Sequence, residues 1–143
     1  MDYRYIDDLA TADIAFEATG ASLEKVFIAA SDATMNVIIE NLESIIPKVK
    51  RSISLANEDL DMLLFNLLQE LLYFKDAEGL LLRIKYIRIT TVHGKHLLQG
   101  TAEGERIDCD RHEQHVDVKA VTLHQFSLTQ SEAGWRAQVI LDV

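Results

Sequence analysis

The residues with the clearest chemical potential lie at the two ends of the chain. Asp13 stands at the entry to an apolar stretch that begins with Ile14, Asp142 is the penultimate residue and Val143 is the last. If the strands carrying them lie side by side, the two side-chain carboxylates and the terminal carboxylate of Val143 share one space. Three hard oxygen donors of like charge sit together comfortably only around a cation, and calcium or magnesium suits that donor set. Asp7 and Asp8 add carboxylates nearby in sequence, and ordinary solvation of strand ends accounts for all of them equally well.

Two other groups carry ligand-type side chains. Asp108, Cys109, Asp110, His112 and His115 fall in one stretch, DCDRHEQH. Transition metals accept those residue types, but thiolate-rich zinc sites need more sulfur than one cysteine, so the stretch reads first as a solvated loop. His93 and His96 flank Gly94-Lys95, which is turn chemistry. His124 stands alone between Leu123 and Gln125 and is expected to be a hydrogen-bonded, partly buried strand residue. Glycine-rich phosphate loops, G-x-S-x-G, H-E-x-x-H and paired C-x-x-C motifs are all absent, so no catalytic residue is assigned. A stand-alone hydrolase would have to draw its acid–base pair from His112 and His115.

The elements that must position these residues follow from periodicity. Tyr3 and Tyr5 mark one short strand, Ile14 and Phe16 a second. Ser22 is a good N-cap, and apolar residues at three- and four-residue steps from Leu23 to Leu42 predict an amphipathic helix over 22–42. Residues 49–55 predict a strand after Pro47. Asn57 is expected to cap a second helix whose stripe is almost pure leucine, from Leu60 to Leu72, and which should be the most buried element. Gly79 stops it. Alternation then predicts a strand from Leu80 with a bulge near Tyr86, a turn at 93–95, a return strand over 96–105, a strand from Val116 to about Leu128, and a last strand after a turn at 131–134. Short connections between C-terminal strands imply antiparallel pairing. The expected fold is α+β, a single domain over 1–143, with two amphipathic helices packed on mostly antiparallel β-sheet.

Composition narrows the function classes. The 143 residues are about one domain's worth, and 48 % hydrophobic residues exclude a disordered chain. The longest greasy stretch, near Met62–Phe74, is broken by Asn66, Gln69 and Glu70, so no membrane span is expected. The opening MDYRYIDDLATAD has no apolar run and predicts neither a secretory signal nor a transit peptide, and the lone Cys109 fits a reducing, cytoplasmic setting. A formal charge of −9 disfavours phosphate backbones, so direct nucleic-acid binding is not expected; cations and basic protein partners are favoured.

Five blocks in order across nearly the whole chain resemble the archease family. Thr11-Ala12-Asp13-Ile14 resembles its His-Thr-Ala-Asp-Val/Ile motif, and Ser22-Leu23-Glu24-Lys25-Val26-Phe27 its first helix start. Residues 67–79, LLQELLYFKDAEG, resemble a Leu-Asn-Glu-Leu-Leu segment ending in Asp-x-Glu-Gly. Residues 118–124, VKAVTLH, resemble a Val-Lys-Ala-Val/Ile-Thr-Tyr-His strand, and 138–143, QVILDV, the closing strand. The resemblance implies a non-enzymatic activator of an RNA-splicing ligase that seals 3′-phosphate RNA ends, acting by promoting guanylation of the ligase's histidine and multiple turnover. It implies a divalent cation on Asp13, Asp142 and Val143, calcium first, with magnesium or manganese as alternatives. Lys119 and His124 match motif positions with a structural or partner-facing role. One position departs: the family's histidine before Thr-Ala-Asp is Ala10 here. A metal-free interaction or chaperone-like module is the rival reading.

Overall fold

The computed structural model describes residues 2–6 and 13–143. Asp7, Asp8, Ala10, Thr11 and Ala12 lie outside the described residues. Among the described residues, seven strands and two α-helices form in the order β1 (Tyr3–Ile6), β2 (Ile14–Gly20), α1 (Leu23–Ile38), β3 (Val49–Asn57), α2 (Leu60–Glu78), β4 (Leu80–Val92), β5 (Lys95–Arg106), β6 (Ala120–Ser131) and β7 (Gly134–Asp142). All the strand pairing is antiparallel, but it makes two sheets rather than one: a terminal sheet ordered β1-β2-β7-β6, and a central sheet ordered β3-β5-β4. Each helix touches both sheets, so the helices fill the space between them.

The helix starts where expected. The Ser22 hydroxyl accepts from the Lys25 amide at 3.2 Å, satisfying one free donor of the first turn. It ends at Ile38 instead of 42, where the chain turns extended at Ile39 and a single 3-10 turn follows at Leu42–Ser44. Tyr3 donates to Asn36 Oδ1 at 3.0 Å and Tyr5 to the Ala33 carbonyl at 2.8 Å, which ties β1 to α1.

The leucine helix is not the most buried element. α1 buries ten of its sixteen residues, because Ala29, Ala30 and Ala33 let it approach the terminal sheet closely while its other side runs along the edge of β4. There the Glu24 carboxylate accepts from the Ile89 amide at 3.2 Å, and Arg83 grips Asp32 through two hydrogen bonds. α1 therefore covers an edge that would otherwise offer unpaired amides. α2 buries six of nineteen, the stripe Leu63, Leu64, Leu67, Leu68, Leu71 and Leu72. Its first turn begins after Asp59, not Asn57; the Asn57 side chain instead accepts from the Asp59 amide at 3.0 Å. Gly79 closes it in the left-handed region (φ 66°), its amide reaching the Lys75 and Phe74 carbonyls.

β4 and β5 form the expected long hairpin around His93-Gly94, both at positive φ as a two-residue turn of the primed type requires. The expected bulge is present: the register shifts between Ile84 and Tyr86. The strand expected from Val116 begins only at Ala120. His115 and Val116 direct their amides to the Ile38 and Val37 carbonyls, so the chain there serves the open C-terminus of α1 instead of a ladder.

Candidate functional site

Asp13 and Asp142 sit at the same end of the terminal sheet. In the β2–β7 ladder Ile14 faces Leu141; Asp13 is the residue just before that pair and Asp142 the residue just after it. Strand alternation assigns both to the outer face, with Ala15 and Ile140. Ala120 pairs with Asp142 from the other side, and the Lys119 amide donates to the Asp142 carbonyl at 2.8 Å, so Lys119 and Val143 join the same sheet end. Asp13, Asp142 and Val143 are half-buried and Lys119 is exposed.

Neither Asp13 nor Asp142 forms an ion pair among the described residues. The donors fit a hard divalent cation in kind: two carboxylates on one sheet end, beside the last residue of the sequence. Among the described residues no three His, Cys, Asp or Glu side chains are grouped for metal binding, and Val143, the third member of the expected set, is not of those types.

The DCDRHEQH stretch is a different object from the solvated loop expected. His112 is only 2 % exposed. Its Nδ1 accepts from the Asp108 amide at 2.8 Å, which places the ring proton on Nε2, 3.0 Å from Glu105 Oε2. Glu105 is 3 % exposed and also accepts from the Ile46 amide at 2.6 Å and from the Arg111 guanidinium, with Lys48 Nζ at 3.7 Å. Arg111 first, with the Ile46 amide and His112, holds the Glu105 carboxyl down at about 2 against the opposing effect of burial. The network is filled from within, and it staples the 107–115 loop to the segment after α1. No periodic signal marks Glu105, an ordinary strand-end glutamate. The remaining members scatter outward: Cys109 is exposed, and His115 Nδ1 meets Glu40 at 3.1 Å.

His124 is exposed rather than partly buried. The β6–β7 register jumps between Thr122 and Ser127, and the four intervening residues arch off the sheet. Gln125 adopts φ 52°, and its carbonyl accepts from Gln138 Nε2 at 3.0 Å. The arch leaves Leu123 58 % exposed. Between β6 and α2 runs a groove of about 560 Å³ with Lys119 and Val121 on one wall and Asn66, Glu70 and the exposed Tyr73 on the other. His93 and His96 stay at the hairpin tip, His96 held by Thr91 Oγ1 at 2.8 Å.

Comparison with known proteins decides the family. The archease protein family (MTH1598/TM1083) matches residues 3–143. The chain belongs to the archease family. Protein archease of Pyrococcus furiosus is 39 % identical over 93 % of this chain and 94 % of its own, and that of Methanosarcina mazei 35 % identical over 99 % and 95 %. The solution structure of protein 1598 of Methanobacterium thermoautotrophicum superposes with a TM-score of 0.86 at 34 % identity, covering 99 % of both chains. An archease of Thermotoga maritima, described as a possible chaperone, shares the fold at a TM-score of 0.63 and 18 % identity, covering 94 % of this chain and 93 % of its own. The archease assignment expected from the five sequence blocks and the α+β fold expected from periodicity are thereby shown. No helix is long and apolar enough to cross a membrane among the described residues.

Proposed function

We propose that this archease is a non-catalytic activator of an RNA-splicing ligase that joins 3′-phosphate RNA ends in the cytoplasm. Asp13, Asp142 and Val143 hold a divalent cation, calcium first, at the end of the terminal sheet. The observation that supports this reading most is the placement of Asp13 and Asp142 opposite each other, just beyond the Ile14–Leu141 pair, in a chain of this family. When bound, the cation supplies positive charge that a nucleotide's phosphate oxygens accept.

The chain's own residues supply the rest. Asp13 and Asp142 give the sheet end its negative charge, which draws it toward a basic nucleotide cleft and makes the encounter fast and salt-sensitive. The backbone bond from Lys119 to Asp142 fixes the last residues of β7 against β6. Lys119 projects at the rim of the groove beside Tyr73, and the arch presents Leu123 and His124 to solvent, a surface suited to a protein partner. The contribution is guanylation of the ligase's histidine and repeated turnover, not a bond-breaking step on this chain.

The test is multiple-turnover ligation by the 3′-phosphate ligase of the same organism, with and without substoichiometric amounts of this chain. Stimulation that disappears in Asp13→Ala supports the reading. Absence of stimulation with both proteins folded overturns the activator role; full stimulation by Asp13→Ala overturns the cation's part in it.

A further inference from the structure

The formal charge of −9 hides a face of the opposite sign. On the outer face of the central sheet, strand register sets side chains in rows: Ser52, Thr101 and Tyr86 in one, Ser54, Gln99 and Arg88 in the next, and Lys50 beside Glu103. Lys85, the extra residue of the β4 bulge, and Lys95, at the hairpin end, add two more cations. Arg83 faces Glu103 from β4 but is engaged with Asp32 and Glu43. Apart from that group, four cations meet one carboxylate, Glu103, which is itself engaged with Lys85 Nζ at 3.8 Å. A face of +3 on a chain of −9 leaves −12 for the rest of the surface. Lys50, Ser52, Ser54, Arg88 and Gln99 are exposed, and Tyr86 is 57 % exposed. Both helices pack on the other side of this sheet or along its edge, and the loop of Glu105 and His112 covers only its far end.

We propose that this face binds single-stranded nucleic acid, RNA in the first instance. The binding rests on three matched features. Lys50, Arg88 and Lys95 meet phosphates. Tyr86, next to the central strand, offers a ring on which a base stacks. The hydroxyl and amide rows of Ser52, Ser54, Thr101 and Gln99 accept and donate to base edges and ribose hydroxyls without demanding a sequence. An acidic protein would satisfy the cations but not the rest, since the larger apolar side chains of the face are not gathered into one anchor: Val92 and Leu97 lie at the hairpin end, separated from Tyr86 by the row of Arg88 and Gln99. The bulge is what turns Tyr86 outward: with the register shifted after Ile84, Tyr86 falls opposite Thr101, while Ile87 packs inward over Gly100. A side chain at position 100 would collide with the β4 backbone at Tyr86, so the glycine is needed for the bulge to lie flat. The site is remote in register from Asp13 and Asp142, which lie on the other sheet, and it does not rest on the ligase reading.

The experiment is fluorescence anisotropy of a labelled twelve-residue uridine oligonucleotide titrated with the full chain at 50 mM salt. A twelve-residue glutamate peptide serves as the acidic-polypeptide probe. Expected is saturable oligonucleotide binding that weakens with salt at a log–log slope of about −2, as three phosphate contacts give on single strands. Tyr86→Ala should weaken it at least about fivefold while Tyr86→Phe, which keeps the ring, should not. Arg88→Glu should weaken it further than Lys25→Glu, which changes net charge equally from α1. No saturable binding by the wild-type chain, equal losses in Arg88→Glu and Lys25→Glu, an unaffected Tyr86→Ala, or equal affinity for the glutamate peptide would each overturn the proposal. All four substitutions are at exposed positions, and an unchanged thermal midpoint confirms that each variant is folded.

Discussion

Glu105 and the Asp13–Asp142 pair are carboxylates in opposite circumstances. Glu105 is buried, and the chain itself supplies everything it needs: a guanidinium, an imidazole N–H, a backbone amide and a nearby ammonium. Asp13 and Asp142 are half-exposed, share one end of a ladder, and form no ion pair among the described residues. A carboxylate completed internally does structural work; two that neighbour each other uncompensated repel at neutral pH until something positive arrives. The first arrangement holds a loop in place, and the second is available for an outside partner.

The largest effect should come from breaking the completed network. Glu105→Gln keeps the shape but removes the charge that Arg111, Lys48 and His112 face; the cations are exposed and stay solvated, so the cost is that of weakened charge-assisted hydrogen bonds, about 1.5–3 kcal/mol. Chemical unfolding of the variant reads this directly; a loss under about 1 kcal/mol would show that the network is dispensable. The same carboxylate sets an acid limit. Its folded-state value lies near 2, below the ordinary 4.5 of the unfolded chain, so its stabilisation is fully present above about pH 4.5 and fades as pH falls toward 2. Glu105→Gln should flatten that part of the stability–pH profile, whereas Asp142→Asn should leave it in place.

This difference between the carboxylates was only half legible in the sequence. Asp13 and Asp142 announce themselves by position, at the beginning of one strand segment and the end of another, and the family blocks agree. Glu105 and His112 do not, because their meaning comes from a loop that folds back seven residues later onto the end of β5 and onto Ile46, a contact 59 residues away in sequence. The same limit explains the strand wrongly begun at Val116. Its alternation is real, but its amides are claimed by the α1 carbonyls at Val37 and Ile38. Leucine count likewise misjudged the two helices. Alanines on α1 contribute little hydrophobicity each, yet permit close approach to the terminal sheet while the helix also covers β4, and that close approach buries more of its residues than the leucine stripe buries on α2. The turns at Gly79 and Gly94 and the bulge near Tyr86 were readable, since they are local signals, whereas the irregularity of β6 between Thr122 and Ser127 carried none.

A smaller effect tests whether the second pair of carboxylates wants a cation. If Asp13, Asp142 and Val143 hold calcium, saturating the protein at about a hundredfold over the dissociation constant should raise its stability by about 2.7 kcal/mol relative to chelator. Asp142→Asn should remove that gain. A thermal midpoint that is the same in calcium and chelator would leave the sheet end as a bare acidic surface, and the departure at Ala10 would then be the natural place to look for the cause.

The smallest effect is the most discriminating, because it has the opposite sign from the first. In chelator, Asp13→Asn removes one of two like charges at the sheet end and should change stability by no more than about 0.5 kcal/mol, toward greater stability if anything. Two like carboxylates cost the fold a little repulsion, and neutralising one relieves it; neutralising Glu105 instead leaves the Ile46 amide and the His112 imidazole with a weaker acceptor. With calcium present the sign at Asp13 should reverse, since the substitution then removes a ligand. Denaturant midpoints of Asp13→Asn measured in chelator and in calcium test that reversal. A loss of several kcal/mol in chelator would mean that Asp13 has a structural partner like that of Glu105, and the contrast between the two regions would fail.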